Sequence, residues 1–238
     1  MIAVTASEIL DLLPALGKES QKRVLIKHGA VEPFFGVPIE ELKKIQKKVK
    51  KNHEVALALY DSGISDAMYL AALVSEPDKM TKAQLEKWAK GAPWQMISES
   101  SVAWTTAESR FAVELGLKWI DSKKESIACT GWCTLSIYVG ITPDDSIDLP
   151  VFKALLDQVK VGIVKAPNRV KYCMNGFVIA VGSGVVPLVA HAKATAAAIG
   201  AVAVDVGETD CKIPLASADI AKIEAMGRTG TKRKTAMC

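Results

Sequence analysis

The chain has 238 residues, of which half are hydrophobic and only 6% are aromatic, and it carries a formal net charge of +4. This length can bury a substantial core, either in one large domain or in an array of repeats. The charge is too small to demand an anionic partner, although it permits one. The longest apolar region, 178–203, is interrupted by glycines, a proline, a histidine and a lysine, so we expect buried helices there and no membrane span.

The cysteines give no sign of a metal site or of a disulfide framework. There are five of them, an odd number without zinc-type spacing: Cys129, Cys133, Cys173, Cys211 and Cys238. The first residues also lack the basic and apolar regions of a secretory signal. We therefore expect reduced thiols, no metal and a cytoplasmic location.

Apolar residues recur at helical spacing through most of the chain. In chain order, the predicted helices cover 5–13, 19–27, 38–49, 53–60, 65–74, 81–88, 93–115, 121–139, 148–159, 167–177, 183–199 and 217–226. Only 201–206 alternates in the manner of a strand, and six residues cannot form a sheet alone. The sequence therefore predicts an all-α fold, and its short connections favour an α-solenoid of stacked antiparallel helix pairs over a four-helix bundle.

Several predicted helices carry recognisable start signals. Thr81 with Gln84 three residues later matches a capping box. Ser65 and Asp148 are the expected N-caps of two other helices. The glycines at 182 and 184 lack the context of a phosphate-binding loop, so we expect a turn there.

The helix predicted at 38–49 has one lysine-rich face. Leu42, Ile45 and Val49 share the apolar stripe, and the opposite face carries Lys43, Lys44, Lys47, Lys48, Lys50 and Lys51. Such a face is usually just solvated, but it could also bind phosphates.

The stretch 91–115 is predicted as one helix with Pro93 in its first turn and Trp104 and Phe111 on its buried stripe. Glu99 lies off that stripe, soon after Trp94. An acid near a helix N-terminus is ordinary capping chemistry, but an acid beside an aromatic residue could also form a site. Both interpretations stay open on spacing alone.

A basic segment follows the last predicted helix. We assign 1–227 to a single helical repeat domain and 228–238 to a C-terminal tail. The tail is either a disordered, solubilising end or a phosphate-binding one, in which Lys232, Arg233 and Lys234 would neutralise DNA.

Three segments together resemble the DNA alkylation repair family, the AlkD-like proteins: HGAVEPFFGV at 28–37, APWQMISESSVAWTTAES at 92–109, and VDVGETDCKIP with GRTGTKRKTAMC near the end. The resemblance extends over nearly the whole chain. It implies an α-solenoid of HEAT-like helix pairs whose concave face holds duplex DNA. It also implies a glycosylase that removes cationic N3- and N7-alkylpurines as a monomer, without metal or cofactor.

The chemistry of such an enzyme indicates which residues matter. A cationic purine is a good leaving group, so the reaction needs a carboxylate for the developing sugar cation and aromatic faces for the base. In the family a helix begins Trp-Trp-Asp-x-Val-Asp, and the last Asp is catalytic. Those six positions fall at 94–99, so the resemblance gives the catalytic carboxylate to Glu99 and an aromatic wall to Trp94. Phe177 would be a further wall, and Trp132 is either core or wall.

The resemblance also suggests DNA-backbone contacts from Ser98, Arg169, Lys171 and Asn175, besides the tail. Departures from the family pattern weaken the enzymatic prediction: the second Trp of the motif is Gln95, a family arginine falls at Cys129, and a family Trp falls at Phe177. The leading hypothesis is therefore an alkylpurine glycosylase. The alternatives are a non-catalytic solenoid that recognises unusual or branched DNA, and a protein-interaction scaffold.

Overall fold

The computed structural model describes residues 5–237, and thirteen α-helices account for most of them. The helices are α1 (Ala6–Leu16), α2 (Glu19–Lys27), α3 (Ile39–Val49), α4 (His53–Asp61), α5 (Ser65–Val74), α6 (Lys82–Gly91), α7 (Ala103–Ala107), α8 (Ala112–Ile120), α9 (Glu125–Ile141), α10 (Leu149–Gly162), α11 (Asn168–Gly184), α12 (Val189–Ile199) and α13 (Ala216–Ala225). No strand occurs within 5–237, so the all-α prediction is confirmed. The four cysteines in this range are free thiols, whereas Cys238 lies outside it.

The chain divides into two compact units. Unit 1 holds the chain through Arg110 together with Gly207–Thr209 and Met237, and unit 2 holds Phe111–Val206 and Asp210–Ala236. The division falls inside the stretch that the sequence predicts as one helix, 93–115. Most of the segment assigned to a separate tail belongs to the second unit.

Polar residues begin several helices as their side-chain chemistry predicts. Thr81 forms the expected capping box, because its hydroxyl accepts from the Gln84 amide and the Gln84 side chain accepts from the Thr81 amide. Asp148 caps α10 by accepting from the Val151 amide. The prediction for Ser65 was wrong: it is the first residue inside α5, and its hydroxyl accepts from the indole of Trp94 at 3.2 Å.

The predicted helix at 93–115 is broken. A π-helical turn, Ile97–Val102, precedes α7, and a turn at 108–111 separates α7 from α8. Phe111 is the N-cap of α8 and is only half-buried. Trp104 is also only partly buried and meets the Tyr69 ring edge-to-face at 5.6 Å, so it is not the core residue that its spacing suggested.

Close helix packing in unit 2 depends on small residues. A Cβ on Gly131 of α9 would lie 2.6 Å from the Ile120 amide nitrogen and 2.9 Å from the Gly116 carbonyl oxygen. Helices α8 and α9 can therefore approach each other only because position 131 has no side chain. Gly182 makes a similar fit against Ile220 of α13. It belongs to the last turn of α11, so the turn predicted at 182–184 was wrong.

The C-terminal segment is folded against unit 2. The Gly230 amide donates to the Ser183 carbonyl at 2.8 Å, and the Arg233 amide donates to the Gly140 carbonyl at 2.9 Å. Lys232 Nζ donates to the carbonyls of Val139 (2.8 Å) and Gly184 (2.6 Å), which lie at the ends of α9 and α11. The interpretation of this segment as a disordered end is thereby corrected.

Within residues 5–237, no single helix combines the length and apolar composition of a membrane span. The consecutive segments Asn168–Gly184 and Val186–Ile199 meet that test only as a pair, and the chain bends by 116° between them.

Candidate nucleic-acid interface

Two of the segments that carry the family resemblance meet at the start of α5 in unit 1. The buried carboxylate of Asp66 accepts hydrogen bonds from the amides of Phe35 (2.6 Å) and Val37 (2.8 Å). The neighbouring residue, Ser65, accepts from the Trp94 indole. A buried carboxylate is stable only when such donors satisfy it, so α5 fixes both segments in place.

The indole of Trp94 is part of the packed structure. The side chain is 7% exposed, and its N–H is used by Ser65. The next residue, Gln95, donates from Nε2 to the His28 carbonyl at 2.9 Å. Gln95 therefore joins the two segments directly, a role that its position in the family motif did not indicate.

Glu99 lies in the middle of the π-helical turn Ile97–Val102 and is half-buried. A π-helical turn rotates the residues that follow it relative to a regular α-helix, and such turns are frequent at functional sites. Its neighbour Ser98 is 1% exposed, and its hydroxyl donates to the Gln95 carbonyl at 3.3 Å. The predicted contact of Ser98 with a DNA phosphate is not available from this buried position.

The other two predicted aromatic walls belong to the core of unit 2. Trp132 and Phe177 are 1% and 0% exposed, and their rings meet edge-to-face at 5.1 Å. Phe152 also stacks against Phe177, with the ring centroids 6.1 Å apart. No base can stack on these rings unless the core repacks, so their prediction as walls is corrected. Both residues lie on apolar helical stripes, and this spacing predicts their burial better than the family resemblance does.

The polar residues predicted on α11 have different environments. Asn175 is fully buried and donates to the Pro214 carbonyl at 2.8 Å, so its predicted phosphate contact is corrected as well. The Arg169 guanidinium lies 4.2 Å from the centre of the Tyr172 ring, which is a cation–π contact. Arg169 and Lys171 are both partly exposed.

Among the predicted tail residues, Lys232 is committed to the protein. Besides the two helix-end carbonyls, its ammonium pairs with Asp144 at 2.8 Å. Because its ammonium already has two carbonyl acceptors and an ion-pair partner, its prediction as a phosphate ligand is corrected. Arg233 and Lys234 are exposed.

Sequence reasoning did not anticipate a cavity of about 320 Å³ in unit 2. Its lining includes Arg228, Thr231 and Arg233 from the C-terminal segment, which the sequence predicts to be a tail. The pair of glycines in GRTGTKR, which is typical of a structured turn, was the available signal.

The all-helical fold and the segments joined at α5 define an all-α protein of two compact units, and comparisons with known proteins identify the family. Residues 9–139 match the model of the DNA alkylation repair enzyme family, and the chain belongs to that family. Two uncharacterised relatives, from Listeria innocua and Listeria monocytogenes, are 32% and 31% identical over 225 residues, which are 92% of this chain and 97% of each relative.

One solved structure resembles almost the entire chain. It is described as belonging to a new family of proteins related to the HEAT-like repeat DNA glycosylases, with affinity for branched DNA structures. The two proteins are 35% identical, the match covers 99% of this chain and 100% of the other, and the TM-score is 0.91. The predicted HEAT-like helical fold is therefore confirmed.

Proposed function

We propose that this protein binds DNA and prefers branched structures, without excising bases. The observation that carries the proposal is the burial of Trp94, Trp132 and Phe177, which leaves none of the three predicted aromatic walls open to a cationic base. Excision of an alkylpurine depends on such faces, whereas binding to DNA requires mainly accessible positive charge. The solved relative with affinity for branched DNA supports the same choice.

The basic residues proposed to contact phosphates are Arg169, Lys171, Arg233 and Lys234. All four are at least partly exposed. Arg169 is held by its contact with Tyr172, which reduces the side-chain entropy that binding would otherwise cost. Phosphate contacts give no information about the base sequence, so selectivity would come from the shape of the DNA.

The test is a binding comparison at fixed ionic strength among a four-way junction, a three-way junction and a linear duplex of the same total length. We expect the junctions to bind roughly tenfold or more tightly than the duplex, a difference of about 1.4 kcal/mol. Equal affinities for all three would contradict branch selectivity. Affinity no better than that of another protein of similar charge would favour the scaffold hypothesis.

The second candidate function is alkylpurine glycosylase activity with Glu99 as its carboxylate. Family membership and the half-buried position of Glu99 in a π-helical turn support this candidate. The partial burial of a carboxylate strengthens its interaction with a nearby sugar cation. The walls would then have to come from side chains other than Trp94, Trp132 and Phe177.

Single-turnover release of N7-methylguanine and N3-methyladenine from duplex DNA separates the two functions. The comparison is wild type, Glu99→Gln and, as a matched control, Glu54→Gln, which removes the same charge from an exposed site on α4 in the same unit. If our proposal is right, none of the three proteins releases base above background, and both variants bind the junction as tightly as wild type does. If release occurs in wild type and is lost only in Glu99→Gln, the proposal is wrong and the protein is an alkylpurine glycosylase.

A further inference from the structure

The lining of the cavity in unit 2 combines two arginines with small and aliphatic residues. It lies among α9, α11, α13 and the segment after α13, and its lining includes Ser136, Ala180, Ser183, Ile223, Arg228 and Arg233. Its volume of about 320 Å³ is at the lower end of the range for small-molecule sites. It therefore suits a ligand of modest size.

The polar groups of the cavity favour an anion. Two arginines, Arg228 and Arg233, line it, and none of its lining residues is acidic. The Arg233 guanidinium donates one hydrogen bond to the Ala236 carbonyl at 3.4 Å. The hydroxyl oxygen of Ser183 is buried and has no hydrogen-bond partner among residues 5–237. A buried hydroxyl without a partner costs free energy. Rotation of the Ser183 side chain toward the cavity would let a ligand bond to the hydroxyl and recover that cost.

The small and aliphatic lining residues Gly140, Ala180, Gly184 and Ile223, which we call the floor, favour a flat group. Gly140, Ala180 and Gly184 contribute little or no side chain, and Ile223 adds an aliphatic surface. The Arg233 guanidinium lies close over Gly140, since a Cβ built there would be 3.3 Å from its Nη2. Planar guanidinium groups and aliphatic surfaces are what nucleobases stack against when they leave a helix.

We propose that this cavity binds one nucleotide, with the base on the floor near Ala180 and Ile223 and the phosphate on Arg228 and Arg233. Ser183 would then bond to a base edge or to the sugar. The nucleotide can be a free mononucleotide or an unpaired nucleotide extruded from DNA. In the second case the inference deepens the proposed function and rests on it, because the extruded nucleotide would belong to the bound branched DNA.

Calorimetric titration of the full-length protein with deoxyadenosine monophosphate, deoxyadenosine and inorganic phosphate tests the first source. We expect the monophosphate to bind roughly tenfold or more tightly than either part alone, because base and phosphate would both contribute. Arg228→Gln should weaken binding roughly tenfold, as loss of a charged hydrogen bond implies. Arg23→Gln, which removes the same charge from an exposed site in unit 1, should leave binding unchanged.

A three-way junction with one unpaired adenosine, compared with the same junction carrying an abasic site at that position, tests the second source. If the nucleotide comes from DNA, removal of the base should weaken binding several-fold, and Ala180→Leu, which fills the floor, should abolish that difference. Arg228→Gln serves as a second variant that leaves the core intact, because this side chain is exposed.

The outcomes are decisive in both arms. Monophosphate binding without an abasic effect supports the site and assigns it to free nucleotides, whereas an abasic effect assigns it to DNA. If phosphate alone binds as tightly as the monophosphate, or if no titrant binds and the abasic site has no effect, the proposal is overturned. Junction binding that persists in that event would leave the proposed DNA-binding function intact.

Discussion

In this protein, single charged side chains form hydrogen bonds with backbone groups that secondary structure leaves without a partner. Asp66 accepts from two amides of the 33–37 loop, and Lys232 donates to two carbonyls at helix ends. The last carbonyls of a helix have no partner within the helix, so a cation placed there satisfies both the hydrogen bond and the helix dipole. Charge at these positions is structural, and it is therefore unavailable to DNA.

Replacing Lys232 by Met should lower the free energy of unfolding by about 2–3 kcal/mol, because two carbonyls and Asp144 lose a charged partner in a partly buried place. Urea denaturation followed by circular dichroism measures the effect. Lys234→Met is the matched control, because Lys234 is exposed, and its effect should stay within about 0.5 kcal/mol. Similar losses in both variants would show that the hydrogen bonds from Lys232 to the ends of α9 and α11 do not stabilise the protein.

Tyr60 gives unit 1 a pH dependence. Its hydroxyl donates to the Trp88 carbonyl at 2.7 Å, and burial raises the pKa of Tyr60 well above its ordinary value. Between the unfolded pKa, about 10, and this raised value, only the unfolded chain loses the phenolic proton. The associated stability is complete below about pH 10 and declines as the pH rises.

We therefore expect Tyr60→Phe to cost about 1 kcal/mol at pH 7, the usual contribution of a hydrogen bond. Above pH 10 wild type should lose about 1.4 kcal/mol per pH unit relative to the variant, so at pH 11 the variant should be the slightly more stable protein. Urea denaturation at pH 7 and at pH 11 measures both quantities. A difference that stays constant with pH would mean that Tyr60 ionises equally in the folded and unfolded states.

At the scale of whole elements, periodicity and capping chemistry predicted most helices well, because each depends on residues close together in sequence. The predicted 19–27 and 65–74 helices match α2 and α5 at both ends. The 93–115 region could not be predicted in the same way. Its apolar stripe continues across the π-helical turn, and the hydroxyls of Thr105 and Thr106 bond back to carbonyls four residues earlier, which local spacing does not reveal.

The site was harder to predict than the fold. Analogy placed Phe177 and Trp132 at a surface, but their burial depends on Phe152 and on neighbouring helices far away in sequence. Composition made Lys232 look like a tail residue, although its partners lie 48 and 93 residues earlier. Long-range partners of this kind are not contained in any short motif.

Two helical glycines provide a test of close packing between elements. Gly131→Ala places a Cβ against the backbone of α8 and should destabilise the protein by about 1–3 kcal/mol. Gly176→Ala, in α11, meets no atom within 4 Å and should stabilise it by about 0.5–1 kcal/mol. Opposite shifts of the thermal midpoint would establish the close approach of α8 and α9, and shifts of the same sign would refute it.

At the scale of the whole molecule, a net charge of +4 implies that DNA binding depends on a few placed residues rather than on general attraction. The exposed lysines of α3 show why counting charges is insufficient, since Lys44 is already paired with Glu41 at 2.7 Å. The proposed contacts of Arg169, Lys171, Arg233 and Lys234 should therefore dominate the salt dependence of binding.

For Lys171→Gln we expect the slope of log K against log salt for a four-way junction to become shallower by about 0.9, the value for one phosphate contact. Fluorescence anisotropy between 50 and 200 mM salt, roughly the range over which such contacts are resolved, measures the slope. Lys153→Gln, which removes an exposed lysine from α10, is the control and should leave the slope unchanged. Equal slopes for all three proteins would remove Lys171 from the interface.

The hydrogen bonds from Lys232 to the ends of α9 and α11 also have a consequence for folding during synthesis. Lys232 follows Gly184 by 48 residues and Val139 by 93. At roughly 5–20 residues per second, the end of α9 waits about 5–20 s after its own synthesis before its partner is translated. Until Lys232 has been translated, the carbonyls of Val139 and Gly184 lack this partner, so unit 2 cannot complete its native contacts before that point.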